Sequence, residues 1–106
     1  MDMKTVKVGT VAGRHPLPVD EYLLEQADPG QCAYDAAYMA ASRRGYEAVV
    51  NDEILEVYYT GLTEVTLGTI DGLDEAGATY RLMRYNLNGN TYEPLQRRVY
   101  VQARLF

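Results

Sequence analysis

The fold turns on Val57–Gly68, VYYTGLTEVTLG. It continues Ile54–Tyr59 (ILEVYY), the most hydrophobic short run of the chain, which reads as a central strand. The turn Thr60-Gly61-Leu62-Thr63 follows, and a helix is expected from Thr63, as N-cap, to Ala76. A strand passing through a glycine turn into a helix points to an α/β protein. The turn itself has two readings. It is plain capped-turn chemistry, or it is the start of an anion site built from backbone N–H groups at a helix N-terminus.

The flanking sequence supplies the other elements. Lys4–Val11 (KTVKVGTV) alternates and suits a first strand. The loop after it, AGRHPLP, is stiffened by two prolines, and Asp20–Gln26 reads as a short edge strand. Asp28-Pro29 carries a helix-start signature. An alanine-rich helix follows, able to lie close to a sheet or a partner helix, and Arg43-Arg44 before Gly45 suits its C-terminus. Residues 46–53 extend it or form a loop. Gly68 and Gly72, four apart, suit close packing, and Gly77 is the expected stop of the second helix. Thr79–Asn86 alternates as a strand, Asn88-Gly89 signals a hairpin, and Thr91–Val101 is a return strand placed on an edge by Pro94. The expectation is one domain over residues 1–106: a mostly parallel central sheet, an antiparallel C-terminal hairpin and two helices.

Composition narrows the function. A formal net charge of −5 argues against binding a nucleic acid polymer, which needs a basic surface. The positive charge is gathered late, however: Arg81, Arg84, Arg97, Arg98 and Arg104 stand against Glu93 alone. That segment fits a local anion contact or salt bridges to an acidic neighbour. Ten tyrosines with no tryptophan suit interfaces and pockets, or simply half-buried strand positions. The single Cys32 allows neither an internal disulfide nor a cysteine metal cluster, and no metal-ligand spacing or cofactor motif is present. With no membrane-length apolar run and no signal h-region in MDMKTVKVG, a cytoplasmic protein without membrane contact is expected.

Ligands of parallel α/β sheets sit outside the carboxyl ends of the strands. GTVAGRHP, with Thr10, Arg14 and His15, and the TGLT turn, with Thr60, Gly61 and Thr63, both meet that description. Arg84-Tyr85-Asn86 at the next strand end offers a phosphate ligand, a stacking ring and an edge-reading amide, or else an ordinary strand end. Arg97 joins these candidates on charge alone. Catalytic sets are thin. Ser42 lies inside a helix, a Cys32–His15 dyad sets a packed cysteine against a loop histidine, and Asp20-Glu21, Asp52-Glu53 and Asp74-Glu75 read as solvated charges.

Val8–Pro29, Val57–Gly68 and Tyr80–Pro94 together resemble the phage anti-Thoeris sponges, with an Arg-His-x-Leu-Pro loop, a Tyr-x-Thr-Gly-Leu-Thr turn and a final Tyr-Asn hairpin. The pattern is also similar to the half-Rossmann layout of CRISPR-associated nucleotide sensors. The sponge resemblance implies a homo-oligomer, dimeric or higher, that sequesters a small cyclic nucleotide or cyclic ADP-ribose-type signal without catalysis. It places ligand contacts on Arg14, His15, Thr60, Gly61, Thr63, Tyr85 and Asn86. The rival readings are a ring nuclease or phosphodiesterase and a structural oligomerisation protein.

Overall fold

The computed structural model describes residues 3–13, 17–26, 32–86 and 89–95. Five strands and two helices follow one another as β1 (Lys4–Val11), β2 (Glu21–Leu24), α1 (Ala33–Val50), β3 (Glu53–Tyr58), α2 (Thr63–Ala76), β4 (Thr79–Asn86) and β5 (Thr91–Pro94). They form one sheet in the order β2-β1-β3-β4-β5. The first four strands are parallel to their neighbours, and only β5 runs antiparallel, against β4. This is the expected α/β architecture, with β3 in the middle and β5 on an edge.

The links from β2 through α1 to β3, and from β3 through α2 to β4, both advance in the same direction across the sheet. Right-handed crossovers therefore put both helices on one face. The core agrees: Val6, Val8, Leu55, Val57 and Leu82 pack with Ala41 and Ala48 of α1 and Leu73 of α2. Register explains the selection, since Val6 pairs with Leu55 and Val8 with Val57, so these side chains share the helix-covered face.

The two helices touch through small residues. Gly68 and Gly72 of α2 face Tyr34, Ala37, Tyr38 and Ala41 of α1 so closely that no side chain fits. A methyl group placed on Gly72 would lie 2.5 Å from the Tyr38 carbonyl oxygen and 2.9 Å from the Ala41 Cβ. The helix interface also decides between the two ends open to α1 in the sequence. Gly45 does not stop the helix, which continues to Val50. Gly45 is buried against Leu73, Ala76 and Ala78, where a Cβ would come within 2.9 Å of Ala76, so its small size serves packing. The helix-start signature at Asp28-Pro29 lies outside the described residues, and α1 is described from Ala33 with Cys32 as N-cap. Gly77 does end α2, at φ 73°: its N–H reaches Asp74 and that of Ala78 reaches the Leu73 carbonyl, a left-handed C-terminal motif.

Arg44 ties the layers together. Its Nε donates to Glu21 of β2 at 2.7 Å, and its terminal nitrogens lie 3.2 Å from Glu47 and 2.8 Å from Glu53 of β3. The helix-free face carries a different lining. Tyr22 lies over Gly9, whose missing side chain leaves room for the ring. Tyr58 meets Tyr92 edge-on at 5.1 Å, and Tyr92 meets Tyr85 at 5.3 Å. Aromatic rings thus cover part of a face that in parallel sheets is normally covered by helices.

Candidate functional site

All four parallel strands point their carboxyl ends to one edge of the sheet. From β1 the chain turns outward to β2, whereas from β3 it turns the other way through α2 to β4. The gap between β1 and β3 is therefore a topological switch point, whereas the cavity at this edge lies on the other side of β3, toward β4 and β5.

The β3–α2 turn borders that edge. Past Tyr58 come half-buried Tyr59, buried Thr60 and exposed Gly61. Thr63 is not the N-cap: it is the first residue of α2, and Leu62 takes the N-cap place with no side-chain capping bond. Leu62 is held as N-cap by its extended backbone, φ −83° and ψ 99°, and its carbonyl accepts both the N–H and the hydroxyl of Thr66. At the neighbouring strand end, Arg84 contacts Glu93 at 3.0 Å and the Tyr85 hydroxyl bonds to Asn90.

These elements line an open cavity of about 260 Å³ formed by Tyr59, Thr60, Gly61, Arg84, Tyr85 and Tyr92. Pockets for whole drug-sized ligands run from about 300 Å³ upward. This one suits a single ring system, with the rest of a larger molecule lying outside it. Two larger hollows flank Pro94 and open at Leu95, where the described chain stops, and they share only Arg84 with the strand-end site.

Four residues expected from the sequence line this cavity together: Thr60, Gly61, Arg84 and Tyr85. Thr63 is exposed beside it at the start of α2. Thr10 is fully buried near the end of β1 and does not line the cavity. Asn86 is the last residue of β4, paired with Thr91. Arg14, His15 and Arg97 lie outside the described residues. Sequence reading missed Tyr59 and Tyr92. The signal for Tyr92 was available, because counting outward from Asn88-Gly89 places it opposite Tyr85, the pairing observed.

The chemistry of the lining is that of binding. Tyrosine rings offer flat apolar surface, Arg84 a charged fork and Thr60 a hydroxyl. Burial raises the Tyr92 pKa, and burial followed by the Glu56 charge raises that of Tyr58, so both phenols stay neutral across the physiological range. The described lining holds no carboxylate, histidine or cysteine to act as a general base. Among the described residues no group of three or more His, Cys, Asp or Glu side chains could hold a metal, and no helix is long and apolar enough to cross a membrane. No protein-family model, characterised protein or solved structure matches the chain.

Proposed function

We propose that the protein captures a small nucleotide-type signalling molecule and holds it without chemical change, as the resemblance to phage immune-evasion sponges implies. The reading rests on one observation: the cavity at the carboxyl edge combines stacking tyrosines, an arginine and a buried threonine, with no general base among its described lining. The face of Tyr85 or of Tyr92, rings that meet each other edge-on, would stack on a planar base, and Arg84 would leave its half-buried partner Glu93 for a ligand phosphate. That exchange is cheap, since surface ion pairs contribute little. Because the cavity admits one ring system, a second copy of the chain would cover the rest of a larger ligand, which fits the proposed homo-oligomer. The host bacterial cytoplasm is the proposed place of action.

The test is incubation with a panel of cyclic dinucleotides, cyclic trinucleotides and cyclic ADP-ribose isomers. A true ligand at 100 times its Kd stabilises the native state by about 2.7 kcal/mol and raises Tm accordingly. It is also recovered intact after heat denaturation. Recovery of a cleaved ligand would establish the enzyme reading instead, and an unchanged Tm across the panel would remove both.

A further inference from the structure

Thr60 is only 7 % exposed, yet its Oγ1 is buried without a hydrogen-bond partner in the protein. An unpartnered buried hydroxyl is costly and rare in a settled structure. Thr60 lines the cavity, with this hydroxyl covered just behind its surface, two residues before an α-helix N-cap that has no side-chain capping bond. The first intrahelical bond of α2 runs from the Thr66 N–H to the Leu62 carbonyl, so the amides of Thr63, Glu64 and Val65 precede the helical ladder. They form the positive end of a 14-residue helix. Gly61 keeps the approach open, since a methyl group placed there would meet nothing within 4 Å.

We propose that this turn is a phosphoryl subsite: the Thr60 hydroxyl and the first-turn amides of α2 donate to one phosphoryl group of the bound molecule. The cavity ligand then has a fixed direction, phosphoryl toward Thr60 and planar ring toward Tyr85 and Tyr92. The direction rests on the nucleotide reading above, whereas the subsite stands on the turn alone. Glu64, exposed in the first turn, is the one carboxylate on the same helix end, and its charge opposes the anion. Thr10 Oγ1 is likewise buried and unpartnered, but Thr10 does not line the cavity and serves as the control.

The experiment titrates inorganic phosphate, pyrophosphate, adenosine and adenosine monophosphate into isotope-labelled protein, followed by amide and tyrosine-ring resonances. Phosphate and pyrophosphate are expected to move the amides of Gly61, Thr63, Glu64 and Val65 with saturation. Thr60→Val weakens that binding about ten-fold, as loss of one hydrogen bond to a charged group requires. Thr10→Val leaves it unchanged, and Glu64→Gln tightens it by about two- to five-fold. Thermal melts identify a misfolded variant, and Glu64→Gln, at an exposed position, then carries the test. Phosphate binding at the turn without any tyrosine response to adenosine or its monophosphate would keep the subsite and remove the nucleotide reading. Tyrosine shifts with adenosine while phosphate and pyrophosphate leave the turn unmoved would overturn the subsite alone, as would equal phosphate affinity in the wild type, Thr60→Val and Glu64→Gln.

Discussion

Gly72→Ala tests the contact that sets the distance between the helices. Taken alone, alanine in a helix interior is favoured over glycine by about 1 kcal/mol. The structure opposes that gain. The new Cβ would lie 2.5 Å from the Tyr38 carbonyl oxygen, 2.9 Å from the Ala41 Cβ and 2.9 Å from the Ser42 nitrogen. Two of these three atoms are α1 backbone, so no rotamer change relieves the clash and α1 must move as a unit. Overpacking of this kind costs about 1–3 kcal/mol, and the rigid obstacle selects the upper part of that range. The net expectation is a loss of about 1–2 kcal/mol, or roughly 5–10 °C in Tm for a domain of this size. Urea and thermal unfolding measure it, with Gly61→Ala as reference. At Gly61 the methyl group meets nothing within 4 Å, and the expectation there is no loss of stability. Gly72→Ala at or above wild-type stability would refute the close helix contact, because propensity would then be acting unopposed.

Three further outcomes follow from other contacts. Arg44→Met strands Glu53, whose side chain is 12 % exposed, while Glu21 and Glu47 remain in reach of water, so about 2 kcal/mol of stability is lost in denaturant titration. Gly77→Ala forces a side chain into φ 73° and costs about 1 kcal/mol by thermal unfolding. The Tyr34 hydroxyl donates to Asp71 at 2.5 Å, and this bond, followed by burial and the carboxylate charge, pushes its pKa up to about 12. The folded state therefore holds the phenolic proton more tightly than the unfolded chain, whose tyrosine titrates near 10. The resulting stability is complete below about pH 10 and is lost as pH rises toward 12, a dependence that Tyr34→Phe removes in alkaline unfolding curves.

Much of the fold was legible because its signals are local. Two-residue alternation gave β1 and β4 to the residue, and Gly77 marked the end of α2. Ambiguity and error came where one residue type serves two purposes. Gly45 has the same local context as a helix stop, and only the approach of Ala76 and Ala78, distant in sequence, makes it an interior packing residue. Thr63 has the chemistry of an N-cap, but the backbone places Leu62 there. In the candidate site, the turn and the end of β4 were identifiable as strand-end loops. That Thr60 and Arg84 share one cavity depended on β3 and β4 being neighbours, a tertiary fact. Tyr59 escaped notice because it reads as one more strand residue, and its place in the wall is set by where β3 ends.

The strand order also governs how the chain assembles. β1 has no partner until β2 arrives beyond a loop, and its main partner β3 lies past the whole of α1. β3 in turn must wait for α2 before β4 can dock. The β1–β3 and β3–β4 pairings thus close a long stretch of chain before they gain a contact, whereas β1–β2 closes only a loop and β4–β5 a short turn. α1 and α2 are joined through β3, so the glycine contact between the helices and the place of β3 beside β1 are set by the same stretch of chain. A chain cut short within α2 would leave the apolar face of β1 and β3 covered by α1 alone, a species prone to self-association and unable to hold the turn where the ligand is proposed to sit.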